Sequence, residues 1–323
     1  MEERAKQSLR GRLHDGLFVE EYGRIESCRA ERFGTSFSVA LVHFDRGEGG
    51  QPGELASFLK GVLPPILSVT RDCDVAGMID EERLLMVLPH TDYFDSLNVV
   101  RKLRKAAAAA AGGLCRRIHI SHATFPRDAR GFGELVGAAE KRLAQRSRSL
   151  WERMGLEGKL FWEILAQLKG VTNEGLDYAC FDTGEGLEFP TSLLQRLTEM
   201  VIQEVIRSPD KRGILYLGLG DTTPDQPILK LLRSVGETAT RIFVVSKEEE
   251  MDWEITGAVP IHIGDLRLSD TFFTLFFSEE TAYAVIASES WGGQYSCFHT
   301  SDPCLVEGLI TKLQRDYNLQ EQF

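Results

Sequence analysis

The stretch RDCDVAGMIDEERLLMVLP, residues 71–89, constrains the fold more than any other segment of this 323-residue chain. Two short apolar runs flank a charged tip, Asp80-Glu81-Glu82-Arg83, and the second run, Leu84 to Leu88, stops at Pro89. Apolar runs of this length on either side of a polar tip read as the two strands of a hairpin, at about 74–78 and 84–88. The tip contains no glycine. A turn that cradles phosphate needs close backbone approach, which glycine allows and a carboxylate opposes. The acids Asp80, Glu81 and Glu82 are therefore expected to form a solvated turn.

Around this hairpin, sheet and helix alternate. GLFVEEYGRIESCRAERFG repeats apolar residues at helical spacing and ends on Gly34, a C-cap candidate. SFSVALVHFD (36–45) is a buried strand. LASFLKGVLPPILS (55–68) is helical in pattern, and Pro64-Pro65 is expected to break or kink it. After the hairpin, DYFDSLNVVRKLRKAAAAAAGG reads as a helix capped by Asp92 and rich in alanine. RRIHISHATFP is a strand, and GFGELVGAAEKRLAQRSRSLWERMG a helix running toward a junction. The second half reads as helix 191–207, strand 213–220, helix 226–237, strands 241–247 and 259–265, hairpin 272–288 and helix 303–318. The expected domains are 1–155, a helical linker 156–190, and a second mixed α/β domain, 191–323.

Charge divides along the same line. Residues 1–150 hold 23 Lys+Arg and 20 Asp+Glu, while 151–323 hold 14 and 28. The acidic half is a poor electrostatic partner for nucleic acid, and an anionic ligand is expected in the first half. No apolar run approaches the roughly 20 residues that span a bilayer. The N-terminus lacks the apolar core of a secretory signal, so a cytoplasmic location is expected. Six cysteines without a CxxC pair and seven histidines without HExxH spacing point to no structural metal.

Four blocks in order over residues of about 10–155 resemble the GGDEF family, the diguanylate cyclases of bacterial signalling. They are DGLFVEEY…RAERFGTSFSVALVHFD, the 71–89 hairpin, SHATFPRDA and ELVGAAEKRLAQ. The resemblance implies an α+β fold of the ferredoxin-like, nucleotidyl-cyclase type. It also shows departures. The GGDEF stretch aligns with Asp80-Glu81-Glu82-Arg83-Leu84, so both glycines are replaced. At an effective dielectric near 20, like charges about 4 Å apart repel by about 4 kcal/mol, which opposes GTP. The family's metal-binding acids fall on His43 and Asp45, and imidazole is a poor ligand for Mg²⁺. The base-reading segment is shortened to RGEGGQPGE. The resemblance thus implies a pseudoenzyme with no metal, no cofactor and no catalytic residue.

The same register places Arg71 and Asp74, spaced RxxD, where the family binds its product cyclic di-GMP. A guanidinium fork suits a phosphate or a guanine Hoogsteen edge, and a carboxylate accepts from guanine N1–H and N2–H₂. The family's further basic residue maps to Lys102, beside Arg101. Arg71 and Asp74 can equally be a surface ion pair of little energetic consequence. The second half loosely resembles the DICT sensory domain. Its strand-to-turn segment GLGDTTPDQP (218–227) lacks a P-loop's GK[ST] and reads as a plain turn with Asp225 as a cap. Asp221, Asp265 and His299 are expected to be caps, turns or satisfied polar groups. Together these features imply an inactive bacterial signalling protein that binds cyclic di-GMP and relays it to a protein partner. A ligand bridging protomers would make it a homodimer. The alternative is a scaffold that binds no nucleotide and works by protein–protein contact.

Overall fold

A computed structural model describes residues 13–45, 52–111, 118–168, 171, 180–182, 189–219, 226–247, 257–289 and 294–319. It divides into two compact units, Met1–Gln145 and Arg146–Phe323.

The first unit has strands β1 (Leu13–Asp15), β2 (Phe37–Phe44), β3 (Val75–Met78), β4 (Arg83–Pro89) and β5 (Ile118–Phe125). Its helices are α1 (Gly16–Phe33), α2 (Pro52–Ser68), α3 (Tyr93–Ala111) and α4 (Phe132–Arg148). The sheet order is β1-β3-β4-β2-β5, with every pair antiparallel except β1 and β3. Read without β1, this is the ferredoxin-like arrangement, in which α2 and α3 make the two crossovers. The alternating side chains of β2 supply both faces. Ala40, Val42 and Phe44 pack with Val62, Ile66, Val100 and Leu103 of α2 and α3. Phe37, Val39 and Leu41 pack with Val19, Ala30, Leu135 and Ala139 of α1 and α4.

Local chemistry sets the ends of these elements. Asp15 caps α1 by accepting from the Phe18 amide at 2.8 Å, and Gly34 closes it in the left-handed region at φ 63°. Asp92 accepts from the Asp95 amide at 2.9 Å, as its capping role requires. The short parallel strand β1 has no counterpart in the sequence reading. It fits because Gly77 opposes His14, where a Cβ would lie 2.6 Å from the His14 carbonyl oxygen. The expected break at Pro64-Pro65 does not occur, and α2 runs to Ser68. Only the last turn follows the two prolines. Buried Ile66 and Leu67 then hold that turn to the core, although Pro64 and Pro65 lack the amides that would donate back to the Lys60 and Gly61 carbonyls.

The second unit is an eight-stranded sheet, β10-β9-β8-β11-β12-β13-β6, with β7 also pairing with β13. The strands are β6 (Cys180–Asp182), β7 (Phe189–Pro190), β8 (Gly213–Leu219), β9 (Thr240–Ser246), β10 (Ala258–His262), β11 (Thr271–Ser278), β12 (Ala282–Glu289) and β13 (Gln294–Thr300). The pairs β8–β9 and β9–β10 are parallel and the rest antiparallel. The helices are α5 (Leu150–Arg153), α6 (Phe161–Leu168), α7 (Thr191–Arg207), α8 (Pro227–Leu232) and α9 (Pro303–Asp316). The phenylalanines of β11 serve both faces of the sheet. Phe276 joins the core under α7 and α8, and Phe273 meets Phe161 of α6 at 5.9 Å between ring centroids.

Three boundaries differ from the sequence reading. The unit boundary falls at Gln145/Arg146 instead of near 155. The segment read as a helical junction is built into the second unit: Trp151, Leu156, Phe161 and Ile164 are all buried. The helix read from 131 toward the junction is interrupted at Ser149, which caps α5, and the chain turns again at Gly155, in the left-handed region at φ 61°. The helix expected over 226–237 ends at Leu232.

Trp151 lies against α9 at Gly308, where a Cβ would come within 2.2 Å of the indole ring. Gly308→Ala is therefore expected to destabilise the second unit by about 1–3 kcal/mol. All four tryptophans, 151, 162, 253 and 291, belong to this unit. A lower urea midpoint in tryptophan fluorescence reads the effect directly, and an unchanged midpoint refutes the close packing.

Candidate functional site

The hairpin places two groups of polar residues at its opposite ends. At the tip, one Asp80 carboxylate oxygen accepts from the backbone amides of Glu82 and Arg83, both at 2.8 Å. Its other oxygen takes the Arg83 Nε at 2.5 Å. The Arg83 guanidinium reaches on to Glu140 of α4, again at 2.5 Å. The hydrogen bonds and charge of Arg83 outweigh burial and hold the Asp80 carboxyl below its usual range. The tip is thus an ion-paired turn clamped to a helix, more ordered than the solvated turn expected from its composition. The amides that a phosphate-binding turn would offer are used internally.

Beside the tip, His43 stands at the end of β2, with Nε2 3.6 Å from a Glu82 carboxylate oxygen and its ring 6.1 Å from that of His119. The Phe44 amide donates to the Glu82 carbonyl at 2.8 Å. Asp45 follows, exposed, as is Glu81 at the tip. Among the described residues no three His, Cys, Asp or Glu side chains come together as a metal would require. Most of the shortened segment, residues 46–51, lies outside the described residues.

At the hairpin entry, Asp74 is half-buried and accepts from the Arg71 backbone amide at 2.7 Å. Arg71 and Asp74 therefore form a local turn, with the Arg71 side chain exposed. Burial pushes the Asp74 carboxyl up, against the lowering effect of the Arg71 amide and charge. The charge of Asp74 acts on the phenol of Tyr22, a residue of α1. Arg101 and Lys102 are on α3, whose buried stripe of Val100, Leu103 and Ala107 packs on the face of the sheet opposite α1. The structure brings Arg71 and Asp74 together in the turn between α2 and β3, and carries Arg101 and Lys102 on α3, which packs beside α2 on the same face of the sheet.

In the second unit, Asp265 caps the short turn 266–268 and is paired with Arg267 at 2.6 Å. It also accepts from the Tyr317 hydroxyl at 2.6 Å, which helps push that phenol up to about 12. Burial lowers His299. Asp221 and Asp225 lie outside the described residues, and α8 begins instead with Gln226 at its cap position. A polar depression at the ends of β8, β11 and β12 was not visible in the sequence reading. Its lining comes from six separate segments.

Because the Asp80 carboxyl is lowered in the folded state, its contribution is complete above the ordinary value of 3.8 and is lost as pH falls through the lowered one. Asp80 and Arg83 are more than a third exposed, so solvent screening limits the ion pair to roughly 1 kcal/mol or less. Asp80→Asn is expected to lower the urea midpoint at pH 7, followed by far-UV circular dichroism. The gap from wild type should shrink as the pH is taken well below 3.8. A gap that persists undiminished in acid would show that the carboxylate charge is irrelevant to the turn.

No protein-family model matches the chain, and no curated protein matches it. Among solved structures it is similar to a DGC protein from Thermotoga maritima, at 13% identity, 40% of this chain, 95% of that one and a TM-score of 0.36. It is also similar to the active GGEEF domain of a diguanylate cyclase from Vibrio cholerae, at 16% identity, 42% and 92% coverage and a TM-score of 0.37. A third is the GGDEF domain of DgcB from Caulobacter crescentus, solved in complex with c-di-GMP. It is 14% identical, with 42% and 84% coverage and a TM-score of 0.31.

Proposed function

We propose that this is a signalling protein without cyclase activity. Its first unit binds cyclic di-GMP at the Arg71–Asp74 corner, and its acidic second unit relays the bound state to a protein partner. The observation that carries this reading is the contrast between the two ends of one hairpin. The tip amides of Glu82 and Arg83 are taken by Asp80, and Arg83 is clamped to Glu140, so these donors are already engaged where a nucleoside triphosphate would need them. At the entry, an exposed guanidinium stands three residues from a half-buried carboxylate. Desolvation already penalises that carboxylate, and guanine N1–H and N2–H₂ donors would relieve it.

A scaffold that binds no nucleotide is the second reading. It is favoured by the corner's own hydrogen bond, in which Asp74 already accepts from the Arg71 amide at 2.7 Å, so that the pair can serve as a local turn without a ligand.

Calorimetric titration of cyclic di-GMP into the full chain separates the two. The proposal expects saturable binding that Arg71→Ala weakens by about tenfold or more, the worth of one charged hydrogen bond. It also expects no turnover of GTP with Mg²⁺. Silence in wild type favours the scaffold, and cyclase turnover would overturn the reading of the tip.

A further inference from the structure

The second unit contains a cavity of about 200 Å³ where the carboxyl end of β8 meets the start of β11, the end of β12 and the first turn of α7. That is the volume of roughly seven waters at about 30 Å³ each, enough for a small metabolite. The place has a topological reason. The parallel strands β10-β9-β8 give way to the antiparallel β11 at this point. Crevices beyond the carboxyl ends of parallel strands, where a sheet changes direction, are where α/β sheets hold ligands.

The lining has two parts. Leu194, Leu219, Ile228 and Phe272 give an apolar floor, and Leu194, Leu219 and Ile228 are themselves buried. Around it stand hydroxyl and amide groups, together with two carboxylates, Asp270 and Glu289, and none of the described lining residues is Lys, Arg or His. Lys247 donates to the Oγ of Ser269, itself part of the lining, at 2.9 Å.

The two carboxylates are set against each other by the sheet. Thr271 pairs with Ser288, so Asp270 and Glu289 stand opposite at the next position, and the Glu289 amide donates to the Asp270 carbonyl at 3.1 Å. Like charges directly across an antiparallel pair repel. Burial raises the Tyr295 phenol and the charge of Glu289 raises it further, and the sheet pairs these two lining residues directly. The whole unit carries 28 acidic against 16 basic side chains, which concentrates cations near its surface.

We propose that this cavity is a binding site for a small organic ammonium ion, its charged head between Asp270 and Glu289 and its apolar body on Leu194, Leu219, Ile228 and Phe272. An apolar floor excludes a hydrated metal ion as the preferred occupant, and the carboxylate pair excludes an anion. The site is independent of the Arg71–Asp74 corner and does not rest on the reading of that corner.

The test is calorimetric titration of the full chain with isoamylamine, and with isoamyl alcohol and isovalerate as neutral and anionic counterparts of the same shape. The amine is expected to bind about tenfold or more tightly than either counterpart. Asp270→Asn/Glu289→Gln is expected to abolish that preference. Both residues are exposed, so the double variant keeps its fold, which circular dichroism checks. Glu279→Gln/Glu280→Gln, at the far end of the same β11–β12 hairpin, removes the same charge and is expected to leave amine binding unchanged. Equal loss in both double variants would assign the effect to the overall field and overturn the site. So would equal binding of amine and alcohol, or no amine binding by wild type.

Discussion

Each unit depends on one strand that is buried on both faces and paired on both edges. In the first it is β2, held between β4 and β5. In the second it is β11, held between β8 and β12. A strand in that position cannot slip by one residue without exchanging the contents of two cores. With β2 fixed, Phe37, Val39 and Leu41 face α1 and α4, while Ala40, Val42 and Phe44 face α2 and α3. The hairpin must then place its tip at the Phe44 end of β2, where the Phe44 amide meets the Glu82 carbonyl. The tip position and the Glu140 clamp follow from that register.

In the second unit the β11 register brings Thr274 against Thr198 of α7 at 2.7 Å on one face and Phe273 against Phe161 on the other. Polar groups then fix α9 over the second face. Gln314 donates to the Tyr216 hydroxyl at 3.1 Å, Lys312 to the Glu157 carbonyl, and the Phe161 amide to Asp316 at 2.5 Å. Arg146 is paired with Glu307 at 3.5 Å. Apolar contact alone tolerates sliding of a helix over a sheet. Buried donors and acceptors with one partner each do not, because an unmade pair costs about 1–3 kcal/mol.

These contacts also explain what was legible in the sequence. The elements of the first unit were, because each is signalled locally: by the Asp15, Gly34 and Asp92 ends, by apolar runs, and by polar tips. So was the core role of Phe273, Phe276 and Phe277 in their β-branched and aromatic run. Residues 156–168 read as part of a linker because the partners of Glu157 and Phe161 on α9 lie about 155 residues away in the chain, and no local pattern announces such pairs. Strand β13 is rich in strand-favouring residues, Tyr295, Phe298 and Thr300, but no clean apolar–polar alternation marks it. The cavity carried no signal, since its lining becomes a set only when six segments meet. At the corner, Arg71 and Asp74 share one local turn, as a four-residue spacing allows.

The tip is more than the loss of two glycines. A glycine turn leaves its backbone amides pointing outward with no competitor, and that is what makes it a phosphate cradle. Here the chain supplies its own anion. The Asp80 carboxylate is bonded to the Glu82 and Arg83 amides and to the Arg83 side chain, and it is carried by the same four-residue turn. A phosphate would have to displace an anion that cannot diffuse away. It would also have to approach past Glu81 and Glu82, and separate Arg83 from both Asp80 and Glu140. Restoring one glycine would not reverse this, because the amides, the arginine and the helix carboxylate are satisfied as a unit. The hairpin tip is consequently a structural clamp between β4 and α4.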